Sequence, residues 1–258
     1  MTDYIDVLAR VAQTTVDSEY YDLAKNIKSR HLSLTKAISQ FQAAPIISEI
    51  KIASPSAGII QSNVRISKVA EAMNLGGAIG LSVLTEPKQF NGSLKALAEA
   101  RRAVNIPIMM KDIILSSVQV YTAKKLGADA VLLIKALFDR GYCDKSLSEM
   151  ICGAHALGLE VLLEAHTETE FREAVNTDAD LVGINNRDLR TLKVNLQVTK
   201  KILDQIDSKG KIVVSESGIK TPADIQFLRE SGARAFLVGS AIMKSDDIEK
   251  KVEELVKA

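Results

Sequence analysis

Three observations predict an α/β fold, a (β/α)8 TIM barrel: eight short apolar runs, helix-period segments between them, and polar side chains where the runs end. The runs are PIISEI, AIGLSVL, IPIMM, DAVLLI, LEVLLE, ADLVGI, KIVVSE and RAFLVG, recurring at roughly 20 to 33 residues, and each has the length and β-branching of a strand. Between them, SLKALAEARRAV, SVQVYTAKKLG, SLSEMICGAHALG, TETEFREAVN and TPADIQFLRESG open on Ser or Thr, and several close at Gly, as helices do. An open doubly wound sheet would alternate in the same way. The polar strand ends favour the closed barrel, because barrel enzymes build their sites from the carboxyl ends of strands.

About 40 residues precede the first run. In them Ile5, Leu8, Val11 and Ala12 recur near the helical period, which predicts a helical extension over 1–43 that covers one end or edge of a barrel over 44–258. The whole of 1–258 reads as one domain, since nothing in the composition marks a linker.

In the first strand residues two apart share a face, so Ile47, Glu49 and Lys51 point one way and Ile46, Ser48 and Ile50 the other. An acid and a base therefore stand together, and the structural reading of Glu49 is an ion pair with Lys51. The second strand ends in Thr85 and Glu86, and the third in Lys111 and Asp112. Lys111 alternates with Met109 and so points into the barrel mouth beside Lys51. Two ammonium groups there would bind an anion or donate protons, each lowering the other's pKa. The fourth strand ends in Lys135 and the fifth in Glu164 and His166. Glu164 suits a general base or a partner for a lysine, whereas His166 reads as a solvated loop residue. For Lys135 and Asp112 structural pairing is preferred. The sixth strand runs into Asn185, an amide donor and acceptor at the mouth, and Arg187, which would hold a loop by pairing with Asp188 or Glu216. The seventh and eighth end in Ser217-Gly218 and Gly239-Ser240, where barrels commonly hold a phosphate on free backbone N–H groups. Gly and Ser also make ordinary turns and caps, but two copies in the last two loops favour a phosphorylated small-molecule substrate.

Lys plus Arg number 33 against 32 Asp plus Glu, a net charge of +1, so no global field points to nucleic acid or an anionic membrane. Cys143 and Cys152 form no CxxC pattern and the three histidines no ligand spacing, so the expectation is reduced thiols and no metal. With no 18-residue apolar run and an N-terminus that carries acids early, the chain reads as cytoplasmic, a monomer or weak homo-oligomer.

Taken in order, SEIKIASPSAG, SVLTEPKQFNGS, MMKD, LLIKALF, LLEAHTE, GINNRDL, SESGI and FLVGSAIM resemble the indole-3-glycerol phosphate synthase family from end to end. The resemblance implies ring closure of 1-(2-carboxyphenylamino)-1-deoxyribulose 5-phosphate with loss of carbon dioxide and water, and no cofactor. It implies Lys111 as general acid, Lys51 on the substrate carboxylate, Glu164 as base, and Glu49 and Asn185 holding lysines and substrate hydroxyls. Ser54 and Pro55 in the first loop and Phe90 and Asn91 in the second would cover the substrate, with Arg187 and Glu216 beside it. Ser217, Gly218, Gly239 and Ser240 would take the phosphate. This chain departs from the family pattern at Ile113, where an aromatic is common, and at Ala57, where a basic residue is frequent. Competing readings are a Schiff-base aldolase using Lys111 or Lys135, a non-catalytic phosphate-binding barrel subunit, and a sibling barrel such as phosphoribosylanthranilate isomerase.

Overall fold

A computed structural model describes residues 3–27, 30–54, 58–60 and 65–258. Eight parallel strands close into a barrel: β1 (Ile46–Ile50), β2 (Gly80–Leu84), β3 (Ile108–Lys111), β4 (Ala130–Ile134), β5 (Glu160–Ala165), β6 (Leu181–Asn185), β7 (Ile212–Glu216) and β8 (Ala235–Val238). Each strand pairs with its sequence neighbours, and β1 closes the ring by pairing with both β8 and β2. Each of the eight apolar runs contributes one of these strands.

Alternation along the strands makes two cores. Ile47, Met109, Leu132, Leu162, Leu181 and Val214 pack inside the barrel. Ile46, Leu81, Met110, Val131, Leu163 and Phe236 face the helices outside. The helices begin where the sequence supplies an acceptor for their free N–H groups: Ser93, Ser116, Ser146, Thr167 and Thr221 each accept from the following turn. Among the described residues no helix is long and apolar enough to cross a membrane.

The N-terminal segment covers both ends of the barrel rather than one. Its first helix, Tyr4–Asp17, turns Ile5, Leu8, Ala9 and Ala12 inward over the carboxyl-end mouth. Arg140 ties that helix down through Asp3 and Asp6, and the Tyr4 hydroxyl donates to Gln89 at 2.5 Å. The next helix, Leu34–Gln40, closes the opposite end. There Glu160, at the start of β5, accepts from the Ser33 and Thr35 hydroxyls and from the Leu34 and Thr35 amides. A charged acceptor with four donors is the fastening of this plug, so Glu160→Ala should lower the unfolding free energy by roughly 2–3 kcal/mol. Urea denaturation checks it: the midpoint falls while the folded protein keeps its activity.

Candidate active site

The innermost polar layer at the mouth comes from alternate strands: Glu49 from β1, Lys111 from β3, Glu164 from β5 and Glu216 from β7. One ammonium thus faces three carboxylates. Lys111 Nζ lies 2.8 Å from Glu216, 3.6 Å from Glu49 and 3.7 Å from Glu164. Lys51 adds a second cation, 3.0 Å from Glu49.

Backbone size makes room for this layer. A Cβ on Gly183 of β6 would stand 2.2 Å from Glu216 Oε1, and one on Gly239, after β8, 2.7 Å from Glu49 Oε1. Gly239, read from sequence as a phosphate contact, therefore also admits Glu49.

The charges set one another. Burial acts to lower the Lys111 pKa, but Glu216, Glu49 and Glu164 outweigh burial and push it upward. This corrects the expectation that Lys51 would lower it: three carboxylates dominate one like charge. Burial also acts to raise Glu49 and Glu164, yet Lys51 and Lys111 hold Glu49 below the usual carboxylate range, and Lys111, His166 and Asn185 do the same for Glu164. Glu216 goes the other way. Burial, with Glu164 and Glu49 adding to it, prevails over Lys111 and raises it to about 7.

Two adjoining cavities share Lys51, Lys111, Arg187 and Ser217. The larger, about 720 Å³, runs from Glu49 to Gly218, Gly239 and Ser240, with Lys220 and Lys244 also in its wall. The smaller, about 80 Å³, is lined by Leu8, Leu84, Phe90, Ile113, Leu132 and Ile134, with Glu164 and Asn185 at its polar side. Ile113 thus belongs to an aliphatic pocket under the N-terminal helix. Phe90 reaches this pocket, while neither lining extends to Asn91, which turns its loop in the left-handed region at φ 51°. Ser54 ends a short strand, Ala53–Ser54, paired with Gly58–Ile59. Its side chain, Pro55 and Ala57 lie outside the described residues.

Several residues sit otherwise than the sequence suggested. Glu216 is buried against Lys111, and Asp188 contacts Arg190. The Arg187 guanidinium donates to the Leu192 carbonyl at 2.9 Å, bracing the 187–196 loop from inside. His166 is not solvated; it lies 3.2 Å from Glu164. Asp112 bonds to Tyr21, Thr85 and the Ile113 amide, and burial raises it to about 7. Lys135 pairs with Asp139 and Glu173, as structural pairing required. Sequence reasoning passed over Asn186, whose buried amide donates to Ser215, to the Glu216 carbonyl and to the Ser217 carbonyl. It adjoins Asn185, and parity turns it outward, so only the paired NN in GINNRDL hinted at it.

Comparison with known proteins gives a consistent answer. A family model described as indole-3-glycerol phosphate synthase matches residues 4–255. Proteins of that name from Neisseria meningitidis serogroup B and Desulforamulus reducens are similar to this chain. The first is 44% identical over 81% of this chain and 78% of its own length, the second 41% over 86% and 83%. Among solved structures, a thiamine phosphate pyrophosphorylase from Pyrococcus furiosus is 19% identical and covers 86% of this chain and 96% of its own, with a TM-score of 0.58. An N-acetylmannosamine-6-phosphate 2-epimerase from Clostridium perfringens is 16% identical, covering 84% and 93%, with a TM-score of 0.61. These two share the fold alone.

The packing of Glu216 against Gly183 yields a sharp expectation. Gly183→Ala should push the Glu216 carboxylate off Lys111, destabilising the fold by about 1–3 kcal/mol. A thermal melt and a turnover assay would both fall; an unchanged turnover number would show that the Glu216–Lys111 contact is dispensable.

Proposed function

We infer the residue roles from one premise, that the chain belongs to the indole-3-glycerol phosphate synthase family. It is a carbon–carbon lyase that closes the indole ring of a phosphorylated substrate in tryptophan biosynthesis. A bond forms between the aromatic carbon that bears the carboxylate and the ketone carbon of the sugar chain. The bond to the carboxylate then breaks and carbon dioxide leaves. Loss of the new hydroxyl as water, with a ring proton, completes the indole.

We propose that Lys111 is the general acid for ring closure and delivers its proton to the ketone oxygen as charge develops there. The observation that carries this reading is the single Lys111 ammonium among three carboxylates, at the junction of an aliphatic pocket and the Gly–Ser loops. Those carboxylates keep the amine charged, which suits a proton donor and disfavours the neutral nucleophile a Schiff-base aldolase needs. Lys51 would hold the substrate carboxylate until it is expelled. Glu164, with its charge favoured by neighbouring cations, would take the proton that accompanies loss of water. Glu49 would orient Lys51 and Lys111, and Asn185 the base and a substrate hydroxyl.

The two cavities would suit the two ends of this substrate. The aliphatic pocket with Leu8, Phe90 and Ile113 would take the aromatic ring, Ile113 giving an aliphatic contact without stacking. The phosphate would lie on Ser217, Gly218, Gly239 and Ser240, with Arg187 bracing the loop beside it. Ser217 and Gly218 both have positive φ, at 69° and 89°, a conformation kept where backbone must meet a ligand. Ser54 and Pro55 would close the first loop over the sugar, and Asn91 would shape the second. We also read the enzyme as cytoplasmic and as a monomer or weak homo-oligomer, which sedimentation would check.

The direct test is incubation with 1-(2-carboxyphenylamino)-1-deoxyribulose 5-phosphate and detection of indole fluorescence; no turnover would overturn the reading. Lys111→Ala should lower kcat by roughly 10²-fold or more. A loss under about tenfold would move the acid role to Lys51.

A further inference from the structure

One titratable group touching the site has no part in the roles above. The His166 side chain is 10% exposed, against 46% for His31 and 37% for His155. It follows β5 directly and turns the same way as Glu164, two residues earlier. Its Nε2 lies 3.2 Å from Glu164 Oε1, and its Nδ1 lies 3.7 Å from Glu170 Oε2. The His166 backbone N–H donates to that same Glu170 oxygen at 2.7 Å. Glu170 is itself fixed, in the first turn of the helix Glu168–Ala174, where its amide is capped by the Thr167 hydroxyl. The imidazole therefore lies between two carboxylates at ion-pair distance, neither ring nitrogen making a hydrogen bond, and its main chain is anchored to the outer one.

We propose that His166 is a positioning residue for Glu164: a charged imidazolium, backed by Glu170, that holds the Glu164 carboxylate ionised and aimed at the mouth. The inference rests on the reading of Glu164 as base. The two oxygens of Glu164 face different cations. Oε1 faces His166, and Oε2 lies 3.7 Å from Lys111. When Lys111 gives its proton to the ketone oxygen it becomes neutral, and Glu164 loses one of these two cations. Its affinity for a proton then rises at the step that needs a base. His166 keeps the other cation in place, so the carboxylate does not swing away from the substrate.

The electrostatics agree with the geometry. Burial would lower the imidazole pKa, but Glu164 and Glu170 outweigh burial and push it up to about 10. The charged groups facing the imidazole are Glu164 on its own strand and Glu170 on the following helix. Beyond Glu164 stand Lys111 of β3, Glu49 of β1 and Glu216 of β7, while Asn185 of β6 contributes an uncharged amide.

Two measurements test it on the intact enzyme. An NMR pH titration of the imidazole signals, assigned with His31→Gln and His155→Gln, should find His166 still protonated at pH 8. A midpoint near the ordinary value of about 6.5 would overturn the proposal. In His166→Gln, Glu164 loses a cation, its pKa rises, and the acid limb of kcat/KM against pH should move up by about one unit. On that acid limb kcat/KM should fall roughly tenfold at a fixed pH, through kcat with KM little changed. Glu170→Gln should move the limb the same way by less, and it decides the matter if His166→Gln does not fold. Normal wild-type turnover with an unshifted limb in the folded variants sinks this inference alone, whereas no wild-type turnover sinks the functional reading with it.

Discussion

The carboxyl end of this barrel is organised around the balance of one buried ammonium against three carboxylates. Charges taken out of water survive only when paired, and removing one partner leaves a buried charge that is strongly unfavourable. Lys111, Glu49, Glu164 and Glu216 come from four alternate strands; Lys51 and His166 meet Glu49 and Glu164 locally, but Lys111 and Glu216 find their partners only across strands. They are satisfied together once the sheet closes. Barrel closure and assembly of the site are therefore one event, and a register slip in any of β1, β3, β5 or β7 would turn its charge outward and strand the others. The even strands serve the same layer by yielding space, through Gly183 and Gly239.

The N-terminal segment follows from the same constraint. A layer of charge at one end of a barrel leaves apolar side chains below and beside it that still need a cover. The helix Tyr4–Asp17 supplies one over the mouth, while Leu34–Gln40 plugs the other end on Glu160. Between them Tyr21 reaches Asp112, next to Lys111 in sequence, and shares it with Thr85 and Gln119. This fixes the chain where β3 turns away from the mouth. The extension thus contributes to both the stability of the barrel and the shape of the aliphatic pocket.

The eight strands and the helices between them were readable from sequence because both signals are local: period-two burial, apolar runs of strand length, and Ser or Thr before several of the helices. Strand-end chemistry was readable for the same reason, since parity alone sends Glu49, Lys51, Lys111 and Glu164 inward. What resisted reading depends on contacts between distant strands. The sign of the Lys111 shift needs the positions of Glu216 and Glu164, from strands that lie well over 40 residues further along the chain. His166 looks like a loop residue until Glu170 closes over it, and Asn186 points outward yet reaches β7. The N-terminal helices carry amphipathic patterns that announce a buried face without naming the end of the barrel it meets.

Asn186 links the charged layer to the Gly–Ser loops. Its amide group donates to the Glu216 and Ser217 carbonyls and to the Ser215 hydroxyl, and accepts from the Thr199 amide and hydroxyl. The strand end that sets the Lys111 charge and the loop whose Ser217 and Gly218 are held at positive φ are thereby parts of one hydrogen-bonded unit. Val194 packs so closely over Gly218 that a Cβ there would lie 2.3 Å from Val194 Cγ1, and Arg187 braces the same loop through Leu192. In the proposed reading, an anion seated on Ser217 and Gly218 would press on this unit at one end while Lys111 would meet the ketone oxygen at the other. The distance between phosphate and acid would then be set largely by backbone and buried amides, which is what a site that must close a ring at a fixed span requires.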